Sequence, residues 1–212
     1  MSQPTALAPA ATLRAADLLA FHDACHAVAG WAKRAEPKHA DGLWRAIEDN
    51  HRCNCLLWDE EDLARRRNVA DAEIAANKRA IDGYNQKRND AIERIDEQLL
   101  SALEAVAPRP DARLSSETAG AMIDRLSILS LKIHHMRLQT ERQDVDQAHI
   151  EACRAKLARL VEQRNDLAAC LERLLDEAAQ GTSTFKVYRQ FKMYNDPKLN
   201  PAIYGAHRQP KT

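Results

Sequence analysis

Apolar residues recur at three- and four-residue steps along most of the chain, and polar residues fill the positions between them. That period marks one face of an α-helix, whereas a half-buried strand alternates at every second residue. Pro37, the "APRPD" at 107–111 and Gly181 interrupt the pattern. Proline lacks a backbone donor, and glycine readily terminates a helix. The stretches between predict helices over about 12–35, 40–67, 71–106, 117–143 and 146–180, with Ser115 or Ser116 as N-cap of the fourth. Seams such as Ile74, Ile81, Ile92, Ile95, Leu99 and Leu157, Leu160, Leu167, Leu171, Leu174 must be buried against partner helices. The expected fold is all-α: an elongated antiparallel bundle of about five helices. Residues 1–181 would form the bundle domain, and 182–212 an irregular aromatic and basic tail strapped onto it.

A triplet breaks two of these seams. Arg-Asn-Asp occurs at 88–90 and again at 164–166, 76 residues later, and in each copy the arginine takes a heptad position that the seam would give to an aliphatic. The preceding helices offer Glu48 and Asp124 at the same offset. Antiparallel hairpins turning near residues 69 and 144 would set Glu48 level with Arg88 and Asp124 level with Arg164. The pattern reads either as two duplicated helical hairpins, each with an Arg–carboxylate pair, or as a coincidence in an Arg/Glu-rich chain. If the pairs form, they serve either as struts that fix helix register or as part of an anion site.

The first hairpin is the more polar. Its seam includes Asn50, Asn54 and Glu61, joined by His51, Asn85 and Arg88. Buried polar groups must satisfy one another or a ligand. Glu48, Asn50, His51, Asn54, Glu61, Asn85, Arg88, Asp124 and Arg164 are therefore the candidate ligand-binding residues, lining a polar pocket inside the bundle. A solvated helix face is the competing reading.

Composition narrows the functional classes. Of 212 residues, 31 are basic and 31 acidic, so the chain as a whole has no bulk attraction for nucleic acid or anionic lipid. No apolar run approaches the length of a membrane span, and the N-terminus lacks a secretory pattern. Five cysteines at irregular spacing argue against a disulfide framework or a Cys-type zinc site and fit a reducing cytoplasm.

Catalytic signatures are weak. The acids at 59–62 could hold Mg²⁺ as in all-α nucleotide pyrophosphohydrolases, with Asp59-x-x-Asp62 and Glu93-x-x-Asp96 as the nearest match. A solvated, charge-paired helix end explains the same letters. His22 and His26 stand one helical turn apart but lack an apparent third ligand; adjacent His134 and His135 diverge, as do Cys53 and Cys55. The tail sets Phe185, Tyr188, Phe191 and Tyr194 beside Lys186, Arg189 and Lys192, a pattern suited to single-stranded nucleic acid or to strapping across the bundle.

The stretches "LWDEEDLAR", "KRAIDGYNQKRNDAIERID", "SSETAGAMIDRLSILSLKIHHM", "EQRNDLAACL" and "FKVYRQFKMYNDPKLNP" resemble the bacterial family of domain of unknown function 4254. The resemblance implies a cytoplasmic all-helical protein whose relatives often sit near cell-envelope glycan genes. It brings no established activity. The chain departs from the family at Asp59, where members often carry His, which weakens a metal role for that position. The leading expectation is a binding or accessory protein for a small anionic ligand, a nucleotide or nucleotide-sugar, with room for a homodimer and no membrane association. A Mg²⁺-dependent hydrolase is the first alternative, and nucleic-acid binding through the tail comes last.

Overall fold

A computed structural model describes residues 13–204. The start of the first expected helix and the tail beyond 204 lie outside the described residues. Along the chain run α1 (Ala15–His26), α2 (Trp31–Arg34), α3 (Gly42–Leu63), α4 (Asp71–Ala102), β1 (Arg113–Leu114), α5 (Ala119–Thr140), α6 (Gln147–Ala179), β2 (Ser183–Thr184), a 3-10 turn (Met193–Asn195) and α7 (Pro201–Tyr204). The all-α expectation holds, and four of the five long helices fall where the apolar period put them. The first does not: it ends at His26, and the chain re-enters helix only after Gly30, whose φ of 67° lies in the left-handed region that a side chain disfavours.

Helices α3 and α4 form one hairpin and α5 and α6 another; α5 packs on both α3 and α4, and α1 lies over α5 and α6. The first hairpin is antiparallel, with Asp49 bonded to Arg94 near one end and Glu60 to Asn77 near the other. Thr118, not Ser115 or Ser116, caps α5 by accepting from the Ala121 N–H at 3.1 Å. Ser115 is engaged elsewhere: its N–H bonds to the Thr184 carbonyl at 2.7 Å, continuing the two-residue parallel pairing of β1 with β2. That pairing ties the entry of α5 to the exit of α6.

The apolar core sits toward the end of the bundle where α4 finishes, α5 begins and α6 finishes. Leu18, Ile95, Leu99, Ile123, Leu126 and Leu171 are all fully buried there, and Phe185 plugs the same layer from the chain after β2. Gly120 lets α5 approach α4 closely: a Cβ there would lie 2.6 Å from the Ile92 carbonyl oxygen. Asp96 then accepts from the Gly120 N–H at 2.7 Å, satisfying a helix-terminal donor that would otherwise be buried unpaired.

The chain after Phe185 is held by polar contacts. Arg189 pairs with Glu93 at 2.6 Å and with Glu97, and the Gln190 side chain accepts from Asn89 at 3.0 Å. Tyr188, Phe191 and Tyr194 are exposed, so of the four regularly spaced tail aromatics only Phe185 enters the core.

Candidate functional site

Further along the bundle from the apolar layer, the interior turns polar while staying buried. Asp124 accepts from the side-chain amides of Asn50 and Asn54, each at 2.9 Å. Asn54 also donates to the Ser127 hydroxyl at 3.0 Å, and His51 Nδ1 lies 2.8 Å from the same hydroxyl. All five residues are buried. Each of these polar groups meets another, so the interior that the sequence suggested as a ligand pocket is largely filled by its own hydrogen bonds.

The arginine pairs differ from the expected ones. Arg88 Nε lies 3.9 Å from Asp124 across the interface between hairpins, while Arg164 reaches Asp23 of α1 at 2.7 Å and Ser130 at 3.4 Å. Glu48 turns outward to the α2–α3 connection. It accepts from the backbone N–H groups of Lys38 and His39 at 3.0 and 3.2 Å and meets Arg52 at 3.3 Å. Burial raises its pKa, but these donors outweigh burial and hold the carboxyl below the usual range. The expected partners were mismatched because heptad phase gives the face of a helix, whereas α5 faces the first hairpin as well as α6. Asn54, Glu61, Asn85 and Arg88 do come together, lining a cleft of about 300 Å³.

The acids at 59–62 are not gathered. Asp59 pairs with Lys33 at 2.8 Å, Glu60 accepts from Asn77 at 2.7 Å and Glu61 pairs with Arg65 at 2.7 Å. Glu93 is held by Arg189 and Asp96 by the start of α5. The Mg²⁺ ligand set of the hydrolase alternative is therefore not assembled. Among the described residues, the one group of three or more His, Cys, Asp or Glu side chains close enough to share an ion is His26, His51 and Cys55, whose donor atoms lie within 4.8 Å of one another.

Those three belong to a continuous array of rings. His22 stacks on His51 at 4.4 Å, His51 meets His26 at 4.9 Å and His26 stacks on His134 at 4.8 Å. His134 touches His135 at 5.3 Å, and His135 stacks on Trp58 at 4.3 Å. Burial lowers the pKa of His22 to about 3 and of His26 to about 4, helped by the neighbouring histidines, and it lowers that of His51 well below the ordinary value. At neutral pH these rings are uncharged imidazoles with free lone pairs.

The array ends in a second cleft, of about 540 Å³. Trp58, Met136 and Leu160 give it an apolar lining, and Lys132, Lys156, Arg159, His135 and Asp62 add polar groups. Among the described residues none of these three cations makes a salt bridge, in contrast to Arg65, Arg88 and Arg164 nearby.

Residues 44–187 match the profile of a family described as a protein of unknown function, DUF4254. The chain belongs to that family. The match covers both hairpins and both clefts, while α1 with His22 and His26 precedes it. Among curated proteins and among solved structures, none matches the chain significantly.

Two features of this DUF4254 member were not among the residues the sequence singled out as a site, and only the first left a local signal. His51 and Cys55 are one helical turn apart on α3, as His22 and His26 are on α1, so two i, i+4 donor pairs stood on successive long helices. Lys132, Lys156 and Arg159 converge only because α5 and α6 fold back on each other.

Proposed function

We propose that the protein binds a small anionic ligand with an aromatic ring, of the nucleotide class, in the cleft between Trp58 and the cations of α5 and α6. The observation that carries this reading is three cations, none of them in a salt bridge among the described residues, around an apolar floor. Charged groups left without partners around a concave apolar surface are the donor set an anionic ligand requires. Trp58, Met136 and Leu160 offer flat apolar area to a base, and Lys132, Lys156 and Arg159 offer charge to phosphates. The volume of about 540 Å³ lies in the range of small-molecule sites. The five cysteines are all free, which agrees with a role in a reducing compartment.

The test is calorimetric titration and thermal shift with nucleotides and nucleotide-sugars, at two ionic strengths. Binding should weaken with salt and should vanish in Lys156→Glu/Arg159→Glu, whose side chains are exposed and whose loss spares the core. Arg88→Ala should bind normally. If Arg88→Ala loses the ligand and the charge reversal keeps it, the ligand occupies the smaller cleft beside Asn85 instead. No binding by wild type to any member of the panel would refute the nucleotide reading.

A further inference from the structure

The second unexplained feature is the ring cluster at the other end of the aromatic array. His22 is fully buried with neither ring nitrogen bonded to anything, and His26 Nε2 is likewise buried without a partner. Unsatisfied polar atoms in a dry interior are destabilising, and native structures leave few of them without a water or an ion. Both rings pack against His51, His22 stacked on it and His26 edge-on, and the unpartnered Nε2 of His26 is the one that can share an ion with His51. His51 Nε2 in turn lies 3.8 Å from the Cys55 sulfur.

We propose that His26, His51 and Cys55 form a binding site for a divalent cation of borderline softness, of the Zn²⁺ class, with one coordination position left for water or an exogenous ligand. The donors are two imidazoles and a thiol, which select Zn²⁺ and its neighbours over Mg²⁺ or Ca²⁺. A tetrahedral ion with Zn–N of about 2.0 Å and Zn–S of about 2.3 Å needs these donors roughly 3.3–3.5 Å apart. The three are already within 4.8 Å, so side-chain rotation of about 1 Å closes the set.

The surroundings suit the role. The Ser127 hydroxyl already accepts from Asn54 and has a second lone pair for a proton on His51 Nδ1. With that proton in place, His51 presents Nε2 to the ion, and Ser127 fixes the ring as an outer partner of a metal-bound histidine does. His26 and Cys55 are half-buried, which gives an ion a way in. On binding, the Cys55 thiol releases its proton to solvent and ligates as thiolate, so affinity rises with pH. The site uses none of the three cations of the nucleotide cleft and stands or falls independently of that reading.

The test uses the full chain, stripped with chelator and reloaded with Zn²⁺ or Co²⁺. One equivalent of Zn²⁺ should survive gel filtration and raise the melting temperature. The Co²⁺ form should show a thiolate-to-cobalt charge-transfer band and the intense visible bands of a four-coordinate ion. Cys55→Ser should abolish the charge-transfer band, and His26→Ala should weaken Zn²⁺ by about 100-fold or more. Cys153→Ser is the control, because Cys153 lies 3.4 Å from His149 as a separate pair. Substoichiometric metal, a six-coordinate Co²⁺ spectrum without a thiolate band, or a band lost in Cys153→Ser rather than Cys55→Ser would overturn the site. The first of these leaves bound water as the partner of the buried nitrogens. Should a variant fail to fold, the wild-type spectrum alone decides whether a thiolate ligates.

Discussion

Two layers of this bundle are equally buried and chemically opposite. In one, Leu18, Ile95, Leu99 and Leu171 leave no surface to water; in the other, His22, His51, Asn50 and Ser127 leave none either. The aliphatic layer gains free energy from every side chain it hides. The polar layer only recovers, through internal hydrogen bonds, what desolvation took away, and at His22 and His26 it fails even to do that. The difference teaches that burial by itself does not mark a structural core. Where buried polar atoms stay unpaired, the fold carries a local penalty, and at His26 an ion shared with His51 and Cys55 would relieve it.

The largest effect separating the layers should come from acid. In the unfolded chain a histidine takes up its proton near pH 6.5, whereas folded His22 and His26 resist until about 3 and about 4. The unfolded state thus binds more protons across that window. The metal-free chain should be fully stable above pH 6.5 and should lose about 1.4 kcal/mol per pH unit for each fully buried histidine as the pH falls. Asp96 has the opposite sign. Burial raises its pKa to about 6, so between pH 6 and about 3.8 the folded state takes up that proton first and offsets one histidine. Urea melts at pH 7, 5.5 and 4.5 check the slope, and a flat profile would mean that the rings are not held neutral.

Next in size is Leu99→Ala, which opens a cavity in the aliphatic layer and should cost about 2–5 kcal/mol at every pH. Asp124→Ala should cost about 3 kcal/mol, because it orphans the amides of Asn50 and Asn54 and leaves Arg88 without a carboxylate. Asp124→Asn should recover part of that, since its carbonyl still accepts. Smallest is Arg189→Ala: the exposed side chain contributes through surface pairs only, so the melting temperature should barely move while limited proteolysis after Phe185 speeds up.

The aliphatic layer was legible in the sequence and the polar one was only half so. A heptad of Ile and Leu states which face is buried, and an aliphatic face accepts any other aliphatic face as its partner. Four of the long helices follow from it with ends within a few residues. Asn50, Asn54, Asp124 and Arg88 were singled out by the same period, yet their partners were not, because Arg88 could meet any carboxylate that the hairpin packing brought near. It met Asp124 across the hairpins, and Glu48 went to the loop at Lys38 and His39. The break at Gly30 depends on one left-handed residue inside an Ala-rich run, a weaker signal than a proline. Convergence of α1 with α3, which brings His26 to Cys55, is tertiary and has no local trace.

X-ray absorption at the zinc edge, on the full chain carrying one equivalent of Zn²⁺, tests most directly whether the polar layer exists to hold an ion. The account predicts one sulfur scatterer near about 2.3 Å with imidazole nitrogens near about 2.0 Å, and loss of the sulfur shell in Cys55→Ser. A shell of oxygen and nitrogen alone in wild type, unchanged by that substitution, would contradict it.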